Sequence, residues 1–467
     1  MDLQLSISGK RDLTRQIYQQ LRAGVLDGRL KSGDRLPSSR ELAEELAVAR
    51  KTVSNVYDLL MSEGFLSTRP GSGTFVADGI PGRRKAVARA LSPLDVPEQW
   101  NSLSLLLAAP RRDLPFDFVV GIPDVSRFPF PLWRSLLNSR ARMLSKSADT
   151  YAEPQGYAPL REAIARYAGF TRAVACSSDD VLVTNGAQQA FSLIAYVLVR
   201  PAAVVAMEQP GYPRARWLFE AHGARIAEVP VDEEGLVVER LPRNAKLVYV
   251  TPSHQYPLGM RMSLPRRLAL LEWAARHGAA VIEDDYDSEF RFAARPLDSL
   301  QSLDRHGVAL YVGTFSKVLF PGARTGFIVA PEPVRGALVA ARQLTDWHGP
   351  LLTQATLARF IQEGHLARHI RKMRRIYAER RLELLRCLEA LPADSLAPRP
   401  SVTGLHISVR LHRNLSADAV AESAARVGVS VGSLGEHGLA LGYGAIETGQ
   451  IAEGVRRLGR AIKLAGR

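Results

Sequence analysis

The sequence LYVGTFSKVLFPGARTG, residues 310–326, contains the most informative pattern in the chain. An apolar run typical of a buried strand ends in small hydroxyl residues, and Lys317 follows directly. A Pro-Gly turn and Arg324 come next, before a second apolar run. A lysine at the end of a buried strand is costly unless some group uses its amine. The pattern therefore predicts a functional lysine at the edge of a sheet.

Apolar runs alternate with helical patterns from Phe116 onward. Six of these runs lead into a polar loop or a helix; they are DDVLVTNGAQQAFSLIAYVL, AAVVAMEQPGYPRA, AKLVYVTPSHQYPLG, AAVIEDDYDSEF, LYVGTFSK and ARTGFIVA. Polar residues that follow the ends of buried strands are typical of an open α/β sheet. We therefore predict an α/β fold for the larger part of the chain.

Several groups at these strand ends suit one cofactor. In TNGAQQA a predicted strand ends and a helix begins, so the free amides near Ala187 and Gln188 can bind a phosphate. IEDDYD contributes acids and Tyr286, GTFSK contributes hydroxyls and the amine, and Arg324 adds a permanent cation. Lysine forms a Schiff base with an aldehyde, and a carboxylate keeps a ring nitrogen protonated. Each signal alone is common, and Asp284 could merely cap a turn, but together they predict pyridoxal 5′-phosphate.

Composition sets broad limits on the molecule. With 467 residues, 46% of them hydrophobic and 23% charged, the chain is long enough for two domains. Cys176 and Cys387 lie too far apart to indicate a disulfide framework or a cysteine zinc site, and we predict no metal. No secretory signal and no apolar run of about 20 residues is present, so we expect a cytoplasmic protein. The net charge of +14 favours polyanionic partners, although it also fits an ordinary basic protein.

The N-terminal part has the pattern of a helical unit followed by a β-hairpin. Ser38 and Glu41 form an S-x-x-E capping box, which predicts a helix that begins at Ser38. The next helix has apolar residues at positions i, i+3, i+4 and i+7, namely Val53, Val56, Tyr57 and Leu60. Its exposed start, where a recognition helix contacts DNA, contains Arg50, Lys51, Thr52, Ser54 and Asn55. Two short strands around Gly71 follow as a wing, although a small non-DNA-binding hairpin domain fits the pattern alone.

A long part of this region closely resembles a known DNA-binding domain. DGRLKSGDRLPSSRELAEELAVARKTVSNVYDLLMSEGFLSTRPGSGTFV is similar to the winged helix-turn-helix of the GntR family of bacterial regulators. The resemblance implies that Arg40, Arg50 and Gly71 contact DNA, and we place this domain at residues 10–78. Many relatives have Ser or Thr where Ala49 stands. Alanine cannot cap the helix that follows, and the missing cap is worth about 1 kcal/mol.

Periodicity fades between this domain and the larger unit. The segment contains several prolines and a basic cluster formed by Arg83, Arg84, Lys85 and Arg89. We predict a tether at residues 79–112. Its basic cluster could contact DNA phosphates or remain solvated.

The larger unit resembles fold-type I aminotransferases over about residues 113–467. YAEPQGYAPLREAIARY is similar to their tyrosine-proline-glycine-leucine-arginine segment. The resemblance implies that Lys317 forms the Schiff base, that Asp284 pairs with the pyridine nitrogen, and that Tyr286 bonds to the ring hydroxyl. It also implies that Tyr212 stacks on the ring. The phosphate would be held by Thr314, Ser316, Arg324 and the amides of Ala187 and Gln188.

Two positions depart from the aminotransferase pattern. Tyr256 in TPSHQYPLG replaces the asparagine that usually supports the ring hydroxyl. Ala440 in HGLALGYGAIE stands where aminotransferases have the arginine that binds the substrate carboxylate. Loss of such a clamp costs a charged pair worth about 1.5–3 kcal/mol. Arg214 or Arg216 could compensate, or both could be solvated, and we place a candidate effector site at Arg214, Arg216 and Tyr256.

A basic segment lies in the last third of the larger unit. LARHIRKMRRIYAERRLELLR, residues 366–386, contains eight Lys or Arg and two Glu. The pattern predicts a long helix. Its basic face could contact DNA phosphates, contact a partner subunit, or be solvated.

The order of the two resemblances is that of the MocR subfamily of GntR-type bacterial regulators. Such resemblance implies a homodimer that binds a double-stranded DNA operator and whose affinity for DNA responds to the cofactor. The effector would be a small amine or amino acid, or the cofactor itself. Two other interpretations stay open: a working aminotransferase that also binds DNA, and a domain that keeps its cofactor only as a structural part. The Ala440 departure favours the regulator, which would have no physiological turnover.

Overall fold

The computed structural model describes residues 5–7, 9, 12–78, 100, 101, 103, 114–146, 151–292, 298–392, 394–412 and 415–466. The chain divides into two compact units, Met1–Pro97 and Glu98–Arg467. Most of the predicted tether, with its basic cluster, lies outside the described residues and stays a prediction. Within the described ranges, no helix is long and apolar enough to cross a membrane.

The smaller unit contains helices and an antiparallel hairpin. Its described elements are α1 (Leu13–Leu26), α2 (Ser39–Glu45), α3 (Arg50–Ser62), β1 (Leu66–Arg69) and β2 (Gly73–Val76). The predicted capping box is present at the start of α2. The Glu41 amide donates to Ser38 Oγ at 3.2 Å, and the Ser38 amide donates to the Glu41 carboxylate at 2.8 Å. Ala49, by contrast, precedes α3 without any side-chain cap.

The core of this unit forms from the predicted apolar faces. The buried residues of α1 and α3 include Ile17, Leu21, Val25, Val53, Val56, Tyr57 and Leu60. The pairing of β1 with β2 runs from Leu66–Val76 to Arg69–Gly73. Gly71 lies in the turn with φ +76°, a conformation that side chains with a Cβ rarely adopt. The unit therefore has the winged helix-turn-helix architecture that the sequence predicts.

An eight-stranded sheet lies at the centre of the larger unit. Its strands are β4 (Val181–Thr184), β5 (Val204–Gln209), β6 (Arg225–Asp232), β7 (Gly235–Leu236), β8 (Ala245–Val250), β9 (Ala280–Asp285), β10 (Ala309–Thr314) and β11 (Gly326–Val329). They lie side by side in the order β4-β11-β10-β9-β8-β5-β6-β7. All strands run parallel except β11 and β7, which are antiparallel to their neighbours.

Helices cover both faces of this sheet. They are α4 (Phe130–Leu144), α5 (Ala158–Arg172), α6 (Ala187–Leu198), α7 (Pro213–Ala221), α8 (Leu264–His277), α9 (Glu332–Asp346), α10 (Leu351–Gln362) and α11 (His365–Glu389). Alternate residues of one strand face opposite layers. Ile282 of β9 packs with residues of α6, whereas Val281 packs with residues of α8. A sheet buried on both faces in this way explains why its strands read as continuous apolar runs.

A smaller sheet completes the larger unit. It contains β12 (Leu396–Pro398), β13 (His406–Leu411), β15 (Gly432–Ser433) and β16 (Leu439–Gly442), in the order β12-β13-β16-β15. The short strands β3 (Phe116–Asp117) and β14 (Val429–Ser430) pair in parallel nearby, and the chain ends with α12 (Ala417–Arg426) and α13 (Thr448–Ala465). The predicted α/β fold is confirmed.

Candidate functional site

The carboxyl ends of the parallel strands share one edge of the large sheet. The segments after β4, β5, β8, β9 and β10 therefore lie at this edge, and the residues before the antiparallel β11 join them. Lys317 follows β10 by three residues, and Asp284 is the penultimate residue of β9. The sheet thus gathers at one edge the residues that the sequence suggested as a cofactor site.

Lys317 is a mostly enclosed amine held by the backbone. Its Nζ donates a hydrogen bond to the carbonyl of Gly121. A Cβ added at Gly121, whose φ is +79°, would lie 3.0 Å from Nζ, so a glycine there leaves the amine its space. Burial lowers the pKa of Lys317, although Asp287 and Asp284 act in the opposite direction. A larger fraction of the amine is therefore neutral and nucleophilic near neutral pH.

Asp284 keeps one carboxylate oxygen without a donor. Tyr249 donates to Oδ2 at 2.5 Å, while Oδ1 is buried and has no hydrogen-bond partner in the described structure. Burial raises the pKa of Asp284 to about 7, against the effects of Tyr249 and of the nearby Lys317 charge. A buried carboxyl with one free oxygen suits a cationic N–H group, since such a donor would satisfy Oδ1 and stabilise its charge.

The start of α6 offers uncapped amides beside a cation. Gly186 precedes the helix with φ +82° and no side chain caps the first turn. Arg324 has φ +44°, donates to the Asn185 carbonyl at 2.9 Å, and lies so near that a Cβ on Gly186 would be 3.3 Å from its Nη2. Thr314 Oγ1 and Ser316 Oγ lie 3.1 Å apart. Amides, hydroxyls and a guanidinium of this kind fit a phosphate group.

Aromatic side chains line the same edge. The Tyr212 and Tyr256 rings make an edge contact with centroids 5.3 Å apart, and Tyr256 lies 6.1 Å from Tyr286. Burial, with a smaller effect of the Asp284 charge, raises the pKa of Tyr212 to about 12. Tyr286 Oη donates to the His254 carbonyl at 3.0 Å, so its hydroxyl already has a protein partner.

Sequence reasoning missed a buried network behind these tyrosines. Glu208 Oε2 accepts from the Thr251 hydroxyl at 2.6 Å, and that hydroxyl accepts from the Tyr256 amide at 2.9 Å. Gln255 Nε2 donates to the Pro210 and Tyr256 carbonyls, both at 2.7 Å. The network ties the loop that carries Tyr256 to the loop that leads to Tyr212. An acid at the end of β5, in VVAMEQ, was the only sequence signal of it.

A second missed group contains two histidines. His254 Nδ1 lies 3.0 Å from Asp287 Oδ1, and His406 Nε2 donates to the Pro257 carbonyl at 2.9 Å. Potential ligand atoms of His254, Asp287 and His406 lie within 4.8 Å of one another. Burial lowers the pKa of His406 to about 4, which keeps that ring neutral. Because Asp287 and Pro257 already engage these rings, the group is best described as a hydrogen-bonded support beneath Tyr286.

The candidate effector residues have different surroundings. Arg216 is ion-paired with Glu220 at 3.0 Å and also with Glu228, so two carboxylates already occupy its guanidinium. Arg214 is exposed at the start of α7, and its backbone carbonyl accepts from Gln188 Nε2 at 3.0 Å. Ala440 is buried in β16 opposite Ser408. Of the two predicted arginines, Arg214 is therefore the one whose guanidinium has no carboxylate partner in the described part of the chain.

The predicted DNA contacts lie on the surface of the smaller unit. Arg40 is exposed on α2, and Arg50, Lys51 and Asn55 are exposed at the start of α3. Thr52 and Ser54 are half-buried, and Gly71 is exposed in the turn between β1 and β2. In the described part of the chain, no carboxylate forms an ion pair with Arg40, Arg50 or Lys51. These cations are available to an anionic partner.

Comparison with known families identifies both units. Residues 13–76 match the model of bacterial regulatory proteins of the gntR family, and residues 120–440 match the model of aminotransferase class I and II. The second match covers more than half of the chain and overlaps the strand-end residues described above.

Relatives resemble the chain over nearly its whole length. The probable rhizopine catabolism regulatory protein MocR of Rhizobium meliloti is 38% identical, over 96% of this chain and 93% of that protein. The HTH-type pyridoxine biosynthesis transcriptional regulator PdxR of Corynebacterium glutamicum is 33% identical, over 92% of this chain and 91% of its own. Among solved structures, the α-aminoadipate aminotransferase LysN from Thermus thermophilus, complexed with N-(5′-phosphopyridoxyl)-L-leucine, matches with a TM-score of 0.70 and 31% identity over 78% of this chain and 95% of that chain.

Proposed function

The chain belongs to the MocR subfamily of GntR-type bacterial regulators, and we propose that it is a pyridoxal 5′-phosphate-dependent transcriptional regulator. The observation that carries this proposal is the free Oδ1 of buried Asp284 beside the enclosed amine of Lys317, in a chain that also has a winged helix with unpaired cations. The Asp284 oxygen has no hydrogen-bond donor in the described structure, and the Lys317 amine lies in the same strand-end region. The winged helix gives the molecule a surface suited to DNA.

The residues at the sheet edge fit this cofactor group by group. The amides at Ala187 and Gln188, with Arg324, Thr314 and Ser316, would hold the phosphate, and Asp284 Oδ1 would accept the ring N–H. Tyr212 would cover the ring. Pyridoxal 5′-phosphate supplies an aldehyde that reacts with amines and a ring that withdraws electrons. Lys317 would provide the protein's amine, whose lowered pKa favours the neutral, reactive form.

The surrounding residues would fix these groups in place. Tyr249 holds one oxygen of Asp284, which leaves the other free to accept from the ring N–H. Glu208, through Thr251, positions the Tyr256 loop. Water is largely excluded from Asp284, which makes any bond to a cationic N–H stronger than it would be in solvent.

We propose sensing rather than turnover as the role of this site. Ala440, which is buried in β16, stands where an aminotransferase has its carboxylate-binding arginine, so that guanidinium is absent at this position. Arg214, which is exposed and unpaired in the described structure, is the residue we assign to an acidic group on an effector. The effector would be a small amine or amino acid, or the cofactor itself.

DNA binding would respond to the state of the site in a homodimer. A ligand shifts an equilibrium only if it binds two forms of the protein with different affinities. The cofactor on Lys317 would therefore have to favour one form of the dimer, with higher or lower affinity for operator DNA.

The test is operator affinity in three states of the full chain. Fluorescence anisotropy at fixed salt would compare the cofactor-free protein, the cofactor-loaded protein and the Lys317→Ala variant. We expect the loaded protein to differ from the other two by a few-fold, which corresponds to about 1 kcal/mol of coupling. Identical binding curves in all three states would contradict the regulatory role. Conversion of an amino acid to its oxo acid over many cycles would favour an aminotransferase instead.

A further inference from the structure

A groove on the larger unit is lined by five arginines. Four of them lie on α11 and one follows β9; they are Arg371, Arg374, Arg375, Arg381 and Arg291. The groove encloses about 460 Å³, and Phe292, Ala378 and Leu382 complete its lining. No carboxylate is among the lining residues. This arginine groove therefore concentrates positive charge that its own walls do not balance.

The hydrogen bonds that the groove arginines donate go to backbone carbonyls, which carry no negative charge to balance the guanidinium groups. Arg374 donates to the Glu289 backbone carbonyl at 2.8 and 3.2 Å, Arg291 to the Thr171 carbonyl at 3.3 Å, and Arg381 to the carbonyl of Ser401. Arg291 Nη1 is buried and has no hydrogen-bond partner in the described structure. Within the described ranges, none of the five arginines forms an ion pair with a carboxylate.

Other arginines of the same helix differ in this respect. Arg380 is paired with Asp124 at 2.7 Å and Arg386 with Glu383 at 2.6 Å. Two arginines of α11 outside the groove are thus neutralised by carboxylates, whereas the four that line it have no carboxylate partner in the described ranges. Like charges held close together repel one another, and an anion in the groove would relieve that repulsion.

The spacing of the cations favours an extended polyanion. Arg371 and Arg381 are ten positions apart on a continuous helix, which corresponds to about 15 Å. One strand of duplex DNA presents a phosphate about every 3.4 Å of helix axis, so it carries several charges over that length. A single phosphate group would engage only one or two of these guanidinium groups. Arg371, Arg374 and Arg375 are also exposed, as contact with a large partner requires.

We propose that the arginine groove binds the phosphodiester backbone of duplex DNA. This inference rests on the proposed function, because it adds a second contact to a chain already assigned to bind DNA through α3. Guanidinium groups donate paired hydrogen bonds to phosphate oxygens, and such contacts add affinity without reading base sequence. The groove would therefore strengthen binding to operator and non-operator duplexes alike.

The test compares two double variants of the full chain that lose the same charge. Arg371→Ala/Arg375→Ala removes two groove cations that make no hydrogen bond in the described structure. The control, Lys372→Ala/Arg386→Ala, removes two exposed cations of the same helix that do not line the groove. Affinity for a long duplex is measured by anisotropy over a salt series. We expect the slope of log affinity against log salt to fall by about 2 in the groove variant and to be unchanged in the control.

The outcomes separate this inference from the proposed function. If the parent protein does not bind operator DNA at all, the proposed function itself fails. If the parent binds but both double variants keep the parental salt slope, the groove does not contact DNA. Thermal protection of the parent by inorganic pyrophosphate, lost in the groove variant while the DNA slope stays parental, would assign the groove to a small phosphorylated ligand and overturn the proposal.

Discussion

Several buried carboxyl groups near the edge of the large sheet keep an oxygen without a donor, and two of these oxygens belong to strand-end groups with a raised pKa. These atoms are Asp284 Oδ1 and Glu208 Oε1. Burial raises the pKa of each group to about 7, and the charge of Asp284 further opposes ionisation of Glu208. A cation bound at either oxygen would lower these pKa values. The cofactor-free site is therefore poised between protonation states near neutral pH.

The first prediction concerns the pH dependence of stability in the cofactor-free protein. Since the folded-state pKa of Asp284 lies above its unfolded value, the folded form binds the extra proton between about pH 4 and 7. Its contribution to stability is complete at low pH and is lost as pH rises through about 7. We expect the Tm of the parent to fall more between pH 5 and 8 than that of Asp284→Asn, by about 1–3 °C. Equal pH dependence in thermal melts of the two proteins would contradict the assigned pKa.

A second prediction concerns the cofactor-bearing amine. We expect the loaded protein to be yellow, and borohydride reduction to fix one cofactor covalently on Lys317. Intact mass after reduction would measure the adduct. Lys317→Ala should lack it, while Lys372→Ala, which removes an exposed lysine of α11, should keep it. An adduct retained at full level in Lys317→Ala would place the reactive amine elsewhere.

The third prediction concerns the recognition helix. Arg50 is exposed at the start of α3 and unpaired in the described structure, so its loss should act directly on DNA binding. We expect Arg50→Ala to cost about 1–3 kcal/mol of operator affinity if it contacts a base edge, and less if it contacts only phosphate. Arg15→Ala, an exposed cation on α1, is the matched control. Parental affinity of Arg50→Ala across a salt series would mean that another surface reads the operator.

At the scale of elements, the two helices of the DNA-binding motif begin differently. α2 has a complete capping box, whereas Ala49 precedes α3 in an extended conformation, φ −65° and ψ 135°, but provides no cap. That backbone geometry suits a serine at the same position. The start of α3 therefore has amides that solvent or a DNA phosphate can bond.

A fourth prediction follows from this difference. Ser38→Ala removes the acceptor of the Glu41 amide and should destabilise α2 by about 1 kcal/mol, while Ala49→Ser should stabilise the first turn of α3 by a similar amount. Hydrogen exchange of peptides from the full chain would measure both effects. Slower exchange of α3 in Ala49→Ser without faster exchange of α2 in Ser38→Ala would mean that the capping box contributes little.

The elements that sequence could predict are those specified by local pattern. The capping box at Ser38, the buried face of α3 and the strand that ends before Lys317 each depend on residues within a few positions. Arg216 is paired with Glu228, which lies on a different element. The local sequence around Arg216 therefore could not predict this ion pair. Periodicity also gives no strand order, because that order depends on contacts between distant segments.

The reactive residues of the candidate site could be predicted from the sequence, but the buried residues that hydrogen-bond around them could not. Lys317, Asp284 and Arg324 stand at strand ends, where an α/β sheet collects ligand-binding groups. His254, Asp287 and His406 come from loops and strands separated by up to 152 positions, and only folding makes them neighbours. Similarly, the Glu208 network is formed from side chains whose sequence signals, taken singly, are those of ordinary buried polar residues.

At the scale of the whole molecule, some cations are paired with carboxylates and others are not. The chain has a net charge of +14, and unpaired cations occur both on α3 and in the arginine groove. Arg380 and Arg216 are instead paired with carboxylates. The unpaired groups are therefore the part of the excess charge that is available to a polyanion.

The last prediction concerns the operator. If the protein acts as a two-fold homodimer, each copy contributes one recognition helix, and the operator must contain two half-sites on the same face of the duplex. Inserting about 5 base pairs between half-sites turns one to the opposite face, whereas about 10 restores the face at a greater distance. We expect the first insertion to weaken binding more than the second, at matched salt, in anisotropy titrations. If residues 79–112 instead behaved as a flexible chain, its ends would lie about 30–35 Å apart on average and many spacings would be tolerated. Equal affinity for all spacings would thus show that the two DNA-binding domains act independently, and cofactor chemistry at Lys317 could not select among operators by their spacing.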